Sequence, residues 1–414
     1  MLSTRRVFLL GASALSLSAC MGGGVPMTPR PAAPPMRAEA NPAFDAWKAA
    51  FRPRALAAGI SPQVADQALA GAQFLPDVIA RDRRQAEFTR TLEDYLRIAA
   101  SDERIAGGRA ALSQYGATLR AIEDRFGVDA AVIAAVWGLE SRYGTERGDI
   151  PVISATATLA FEGRRGPFFE SQLLAALRIL QRGDTAPQNL RGSWAGAMGH
   201  TQFIPTTFQD YAVDFTGDGR RDIWAEDPTD GLASAANYLA RMGWQRGQPW
   251  GVEVRLPQGF DTGLAGRGNA RAVTDWTARG LRDMDGRALP ALGDGALILP
   301  DGPLGPAFVV FRNFNVILRY NNSEFYGIGV GHLSDRLRGG GPIRGNFQPD
   351  HNGLRMPERQ EIQQRLTAAG FDTQGADGVF GPNSQNALRA WQRARGLPET
   401  GQPSMAVLTL LRAG

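Results

Sequence analysis

The sequence contains 414 residues, of which 43% are apolar and 21% are charged, and its formal net charge is +4. This length can form two domains with buried cores, and the composition excludes a disordered or fibrous chain. The positive charge comes almost entirely from arginine, since Lys48 is the sole lysine. A weak excess of this kind suits an acidic polymer, but without a clustered basic stripe it does not indicate nucleic-acid binding.

The first twenty residues have the parts of an export signal. Arg5 and Arg6 precede an apolar run over residues 9–17, which is too short to span a bilayer. The sequence Leu-Ser-Ala-Cys that ends at Cys20 resembles a bacterial lipobox, and the arginine pair resembles a twin-arginine signal. We therefore predict a lipoprotein signal peptide over residues 1–20, cleaved before a lipid-bearing Cys20 that anchors the protein to a membrane.

Cys20 is also the only cysteine, so a cysteine used for the anchor leaves no thiol nucleophile and no disulfide. Residues 21–42 are rich in Gly, Pro and Ala, which predicts a tether ahead of a catalytic domain over residues 43–335. The anchor predicts a periplasmic protein of a Gram-negative bacterium. Met21 follows the cysteine where a retaining aspartate would otherwise stand, which favours the outer membrane.

The next predicted element is a helix with a carboxylate on its apolar face. Asp129 is predicted to cap a helix over 130–143, which Gly144 ends, and Glu140 falls on the apolar face by its three- and four-residue spacing. Spacing alone leaves two interpretations open. Glu140 is either a structural group paired with a nearby arginine (Arg142 or Arg147), or an acid whose pKa burial raises so that it donates a proton near neutral pH.

A glycine-rich block spans residues 193–205 and reads Ser-Trp-Ala-Gly-Ala-Met-Gly-His-Thr-Gln-Phe-Ile-Pro. Gly196 and Gly199 predict a backbone that approaches a ligand closely. Ser193 and Gln202 offer a hydroxyl and an amide for sugar hydroxyl or acetamido groups. The alternative is a tight connection whose polar groups only satisfy the backbone.

An acidic loop begins at Asp214, with oxygen-bearing side chains at alternate positions and a glycine at the sixth, as in the opening of an EF-hand. Its twelfth position is Ala225 rather than glutamate, so a later aspartate, Asp227 or Asp230, would have to close the site. The predicted ligands of a structural calcium ion are Asp214, Thr216, Asp218, the Arg220 carbonyl, Asp222 and Asp230. A plain turn without metal is the alternative.

Strand-like segments appear after residue 250, at Val252–Leu256, Phe308–Phe311 and Val316–Tyr320, separated by turn-rich sequence. They predict a small β-containing lobe within the catalytic domain. Tyr238 and Tyr326 are either sugar-stacking or core aromatics.

Three ordered blocks resemble the membrane-bound lytic murein transglycosylase B family. They are Trp137–Gly144, the glycine-rich block, and Arg319–Ser323 with Tyr326, and the resemblance covers residues 43–335. It implies a mainly helical α+β protein with a lysozyme-like catalytic domain, in which Glu140 is catalytic. Together with the residue types themselves, it predicts substrate-binding roles for Ser193, Gln202, Tyr238, Asn321 and Tyr326. Asn321 would hold an N-acetyl group, a turn cap being its alternative; His200 receives no role.

The resemblance also implies the reaction. A single glutamate protonates the glycosidic oxygen between N-acetylmuramic acid and N-acetylglucosamine. It then takes a proton from the muramyl 6-hydroxyl, which closes a 1,6-anhydro ring, and no cofactor is required. A hydrolytic muramidase, for which Glu162 or Glu170 would be the second carboxylate, and an inactive wall-binding scaffold remain alternatives.

A glycine-rich linker over residues 336–352 precedes a compact module at 353–414. Asp377–Pro382, Ala387-Leu388 and Trp391-Gln392 resemble small three-helix peptidoglycan-binding domains. The module implies peptidoglycan as the partner without fixing the reaction, and a second binding unit raises the local concentration of the enzyme at the polymer. Other cell-wall enzymes are further candidate partners.

Overall fold

The protein is described here by a computed structural model, which describes residues 36–83 and 90–414. The predicted signal peptide with Cys20, and the greater part of the predicted tether, lie outside these residues. Within the described part of the chain, no helix combines the length and the hydropathy that a membrane span requires.

Helices dominate the first part of the described chain, and several begin at a capping residue; Asn41, Ser61 and Ser101, for example, each accept a hydrogen bond from a first-turn amide. The helices up to the central one are α1 (Pro42–Ala57), α2 (Pro62–Gly71), α3 (Pro76–Arg83), α4 (Leu92–Ala99), α5 (Asp102–Gln114) and α6 (Gly116–Phe126). Helices α1 and α2 pack on two later helices, α8 (Val152–Glu162) and α9 (Gly166–Arg182), around Phe51 and Leu173.

The central helix α7 (Ala130–Ser141) is almost wholly buried. Its N-terminus is capped as predicted, because Asp129 Oδ1 accepts a hydrogen bond of 2.8 Å from the amide of Ala131. The helix ends two residues earlier than predicted, since Arg142 and Tyr143 already have positive φ angles of 47° and 57°. Helices α5, α6, α11 (Thr229–Arg241) and α14 (Glu324–Leu337) surround it.

Two sheets accompany the helices. Short strands β1 (Ile150–Pro151) and β2 (Arg191–Gly192) pair with each other, and α10 (Pro205–Tyr211) follows them. The β-containing lobe has a fully antiparallel sheet of order β4-β6-β7-β3-β5. Its elements are β3 (Gly251–Arg255), β4 (Arg271–Ala272), α12 (Val273–Ala278), β5 (Arg282–Asp283), β6 (Asp294–Ile298) and β7 (Ala307–Val310).

Strand β7 joins the lobe to the helical core. Phe308 and Val310 pack into the helical core, whereas Ala307 and Val309 pack into the core of the lobe. This alternation follows from the two-residue period of a strand, in which neighbouring side chains point to opposite faces. The lobe therefore packs directly on the helical core through this strand.

The predicted strand Val316–Tyr320 is wrong, because these residues form the second half of α13 (Arg312–Tyr320). A short run of β-branched and other apolar residues fits either a buried strand or a buried helix, and periodicity cannot separate the two. Tertiary packing decides here. Six of the nine residues of α13 are buried, whereas Arg312, Asn315 and Arg319 are exposed, and the helix lies against α14 and α11.

The C-terminal region forms the three predicted helices, α15 (Met356–Ala368), α16 (Pro382–Ala394) and α17 (Met405–Arg412), around Leu388 and Trp391. The linker before them runs along the β-lobe and is hydrogen-bonded to it. The amide of Arg344 donates to Glu253, and that of Gln348 donates to Asp301.

Arg359 of α15 then joins the C-terminal region to the catalytic domain. It is 3% exposed, and its guanidinium lies between Asp350 of the linker and Asp94 of α4. The prediction of a mainly helical α+β protein with a small β-lobe and a three-helix C-terminal domain is confirmed.

Candidate active site

A cleft of about 330 Å³, open to solvent, lies at the C-terminal end of α7. It is bordered by one carboxylate, one amide, and otherwise apolar, aromatic and hydroxyl side chains. The lining residues are Glu140, Gln202, Phe203, Ile204, Thr207, Tyr238 and Tyr320. A mostly apolar cleft with a few converging polar groups is the usual form of a ligand site.

Glu140 is the penultimate residue of α7 and is partly accessible. The hydroxyl of Tyr326, a buried residue of α14, donates a hydrogen bond of 2.6 Å to Glu140 Oε1. Loss of hydration raises the pKa of Glu140 to about 7, although the Tyr326 hydrogen bond acts in the opposite direction. Glu140 is therefore populated in both protonation states near neutral pH, as a group that both gives and takes a proton requires.

The nearby arginines have other carboxylate partners. Arg142 forms ion pairs with Glu103 and Glu146, and Arg147 pairs with Glu226. The interpretation of Glu140 as the partner of Arg142 or Arg147 is therefore wrong. Because none of the described arginines forms an ion pair with Glu140, this residue keeps the raised pKa that burial gives it.

Glu162 and Glu170, the candidates for a second catalytic carboxylate, lie elsewhere. Glu162 is paired with Arg83 at 2.9 Å, and Glu170 is paired with Arg54 at 2.9 Å. Among the described residues that line the cleft, Glu140 alone carries a carboxylate. This arrangement differs from the pair of carboxylates that ordinary glycosidases place across the scissile bond.

The glycine-rich block shapes one wall of the cleft. Gly199 has a φ of 69°, and an added Cβ there would lie 2.3 Å from the carbonyl oxygen of Ile223. An added Cβ at Gly196 would meet Thr156. The close approach that these two glycines permit here is to other parts of the protein, and neither of them is among the lining residues of the cleft.

Gln202 reaches the cleft from a left-handed conformation with a φ of 51°. Its amide nitrogen donates to the carbonyls of Gly199 at 2.9 Å and Arg147 at 3.0 Å. These two bonds orient the side chain along the cleft wall. Left-handed backbone is costly for a residue with a side chain, and here the surrounding bonds hold it.

The remaining predicted substrate residues divide into two groups. Tyr238 borders the cleft and is also a core aromatic, because it is 4% exposed and its hydroxyl donates to the Arg319 carbonyl at 2.5 Å. Ser193 and Asn321 are not among the lining residues. Ser193 Oγ accepts from the amide of Ala197 at 3.1 Å within its own loop, and Asn321 is buried at the end of α13.

His200, for which the sequence predicts no role, is buried beside the cleft and forms hydrogen bonds with several segments of the chain. Its Nδ1 accepts from Trp137 Nε1 at 3.1 Å, and its Nε2 lies 2.8 Å from the Ala225 carbonyl and 3.3 Å from the Arg147 guanidinium. Its carbonyl accepts from Ser141 Oγ at 2.6 Å. His200 thus connects α7, the glycine-rich block and the end of the acidic loop through hydrogen bonds.

The acidic loop brings together the carboxylates of Asp214, Asp218 and Asp230, whose ligand atoms lie within 4.8 Å of one another. Asp222 instead accepts hydrogen bonds from the amides of Trp224 and Ala225. Thr216 Oγ1 donates to Asp214 at 3.3 Å. Of the six predicted calcium ligands, three carboxylates therefore form the cluster.

Tyr320, Phe203, Ile204 and Thr207 also line the cleft without having been assigned roles. Phe203 and Ile204 fall within the glycine-rich block, and Tyr320 falls within the Arg319–Ser323 segment. The sequence blocks therefore already indicated the location of these three residues near the site. Thr207 lies outside all three blocks, and only the packing of α10 brings it to the cleft.

Comparison with known proteins identifies two matching family models. The model described as the transglycosylase SLT domain matches residues 43–335, and that described as a putative peptidoglycan binding domain matches residues 355–411. Membrane-bound lytic murein transglycosylase B of Escherichia coli (strain K12) is 32% identical over 242 residues. That alignment covers 57% of this chain and 64% of the E. coli protein.

Two solved structures extend the comparison. SltB3 from Pseudomonas aeruginosa, in complex with NAG-NAM-pentapeptide, is 48% identical, with a TM-score of 0.73, and the match covers 90% of this chain and 100% of that one. The E. coli lytic transglycosylase Slt35, in complex with calcium, is 28% identical, with a TM-score of 0.61, and the match covers 72% of this chain and 93% of that one.

Proposed function

The chain belongs to the transglycosylase SLT domain family, and from that premise we propose that it is a lytic transglycosylase that cleaves peptidoglycan with Glu140 as its single acid and base. The bond cleaved joins N-acetylmuramic acid to N-acetylglucosamine, and the products carry 1,6-anhydro-N-acetylmuramic acid ends. The observation that carries the proposal is the cleft carboxyl of Glu140, which pairs with none of the arginines that the structure describes and whose pKa is raised to about 7.

Proton transfer follows from the geometry at Glu140. The Tyr326 hydroxyl donates to Oε1, which leaves Oε2 to carry the proton of the neutral acid. That proton passes to the glycosidic oxygen as the bond to C1 of the muramyl residue breaks. The resulting carboxylate then accepts the proton of the 6-hydroxyl while O6 bonds to C1, which restores the acid.

An intramolecular nucleophile explains why one carboxylate is sufficient. The 6-hydroxyl belongs to the same sugar as C1, so its effective concentration greatly exceeds that of a free reactant. No second carboxylate is then needed to activate water. Gln202 and Tyr238 border the cleft at positions from which they would contact the sugar, and Tyr326 acts by orienting Glu140.

Digestion of purified sacculi, followed by mass analysis of the released muropeptides, tests this function. Anhydro ends are the expected product of the wild-type protein. Reducing ends would identify a hydrolase, and absence of release would identify a scaffold; either result contradicts the proposal.

The C-terminal module, residues 353–414, binds peptidoglycan in this proposal and keeps the enzyme on its polymer. Cleavage of residues 1–20 would leave Cys20 to carry lipid chains, with residues 21–42 as the tether to the membrane. The enzyme would then act in the periplasm from an anchor in the outer membrane. Metabolic labelling with a radioactive fatty acid tests the anchor, because a Cys20→Ala variant should lose the label.

We also propose that the acidic loop binds a structural calcium ion. Its clustered carboxylates, Asp214, Asp218 and Asp230, are hard oxygen ligands of the kind that calcium prefers. The backbone fits as well, since Asp214 accepts hydrogen bonds from the amides of Gly217 and Gly219, which folds the loop around the carboxylates. The ion would stabilise the loop and takes no part in the chemistry.

A further inference from the structure

Thr207 lies in the first turn of α10 and borders the cleft together with Glu140 and Gln202. The residue is 4% exposed. Its hydroxyl oxygen is buried, and among the described residues none forms a hydrogen bond with it. A polar group in this condition is uncommon, because burial without a partner forfeits its hydration.

Two other threonines show the hydrogen bonds that a threonine hydroxyl ordinarily forms on a helix. Thr156, on α8, donates its hydroxyl to the carbonyl of Val152 at 2.6 Å, which is the usual solution for threonine on a helix. Thr206, the neighbour of Thr207, donates its hydroxyl to Gln172 Oε1 at 3.1 Å. The hydroxyl of Thr207 has neither kind of bond, although it stands one residue from Thr206.

We propose that the hydroxyl of Thr207 is a saccharide-binding group, which hydrogen-bonds a hydroxyl or acetamido group of the sugar bound beside Glu140. This inference rests on the proposed function. A group whose hydrogen-bond partner is the substrate has no partner in the free enzyme, and it gains one when the sugar binds.

Rotation about the Cα–Cβ bond makes the contact accessible. The hydroxyl oxygen is sealed from solvent in this structure, while the residue itself borders the cleft. Threonine on a helix populates two rotamers, and the change between them moves the hydroxyl to another of the three staggered positions about this bond. A bound sugar selects the rotamer that presents the hydroxyl.

The test compares Thr207→Val, Thr207→Ser and Thr206→Val in the detergent-solubilised full-length protein. Valine keeps the shape of threonine and removes the hydroxyl. We expect Thr207→Val to lower kcat/KM on soluble glycan strands about tenfold, with a Tm equal to or above that of the wild type. Thr207→Ser should retain most of the activity. Thr206→Val, which loses its bond to Gln172, should lower the Tm and leave kcat/KM unchanged.

The opposite pattern overturns the inference. A Thr207→Val enzyme with wild-type kcat/KM, or one whose kcat/KM and Tm fall together without rescue by serine, would show that the hydroxyl does not bind sugar. The wild-type digest separates this failure from a failure of the proposed function. If the wild type itself releases no anhydro products, the reaction is wrong; if it does, only the role of Thr207 is.

Discussion

Two glutamates contrast the catalytic domain with the C-terminal module. Glu140, beside the cleft, has a pKa raised to about 7 because burial removes its hydration. Glu361, on α15, has a pKa lowered to about 2, first through its hydrogen bond with Arg412 and then through that with Arg365. The same side chain is thus an acid in one region and a fixed anion in the other, and its surroundings alone make the difference.

The contrast shows which carboxylate of this protein has surroundings suited to proton transfer. In the C-terminal module, a second surface carboxylate is paired with arginine, since Glu399 forms an ion pair with Arg393. In the cleft, by contrast, Glu140 forms an ion pair with no arginine in the described part of the chain, and its hydrogen-bond partner is the hydroxyl of Tyr326.

The lysozyme-like catalytic domain also pairs carboxylates with arginines away from the cleft, as Glu162 with Arg83 and Glu170 with Arg54 show. The single cleft carboxylate is therefore what distinguishes the site, rather than the domain as a whole.

Replacing each of the two glutamates in turn tests the comparison most directly. Glu140→Gln should lower the release of muropeptides from sacculi by at least about 1000-fold, because the general acid and base are lost together. Glu361→Gln should leave release unchanged. Sacculus pelleting checks that both variants still bind. Residual release by Glu140→Gln within tenfold of the wild type would show that another group performs the chemistry.

Deleting residues 345–414 separates the two regions. We expect binding to sacculi to weaken about 10- to 100-fold, since the second binding unit is lost, while cleavage of soluble glycan strands persists. A pelleting assay and muropeptide analysis on the same preparation measure both. Total inactivity of a folded truncation would contradict the division into a catalytic domain and a binding module.

The Tyr326→Phe variant sharpens the comparison by changing only the surroundings of Glu140. The Tyr326 hydrogen bond favours the ionised carboxylate, so its removal should raise the pKa of Glu140 further. The descending limb of the kcat/KM profile, centred near pH 7 in the wild type, should then move to higher pH. We expect activity at pH 7 to fall about tenfold, because the acid is less well oriented. A limb that stays in place would show that a different group titrates.

Stability should depend on pH in the same window. The folded-state pKa of Glu140 is above the ordinary value of 4.5, so between about pH 4.5 and 7 the folded protein binds a proton that the unfolded chain has released. The free energy of unfolding of the wild type, relative to Glu140→Gln, should therefore decrease as the pH rises through this window, by at most about 3 kcal/mol. Denaturant unfolding at a series of pH values measures the difference.

Calcium should have the smallest effect. Millimolar calcium is expected to raise the Tm of the wild type by a few degrees through mass action, and a chelator should reverse the rise without changing the muropeptide products. The Asp214→Asn variant should lose the response. An unchanged Tm in saturating calcium would show that the loop is a plain turn.

Much of the site could be predicted because local rules and tertiary structure agree there. Asp129 caps α7 as its side-chain chemistry requires, and the spacing of Glu140 placed it on the apolar face. The segment 316–320 was misassigned because a short apolar run carries no period. The left-handed conformation of Arg142 and Tyr143 had no sequence signal, since such backbone normally selects glycine.

The roles of His200 and Thr207 could not be read from the sequence for a different reason. Each depends on groups far away along the chain, such as Trp137 for His200 and Glu140 for Thr207. Neither residue type nor spacing records such neighbours. Contacts of this kind become visible only when the elements that carry them are assembled.

The burial of Arg359 between Asp94 and Asp350 has a consequence for chimeric enzymes. A module taken from another protein, without an arginine at the matching place, would leave two adjacent acidic side chains of the host uncompensated at the joint. Removing one partner of a buried ion pair typically destabilises a protein by about 3–5 kcal/mol. A successful graft would therefore have to carry this arginine with it, or replace both aspartates of the recipient at the same time.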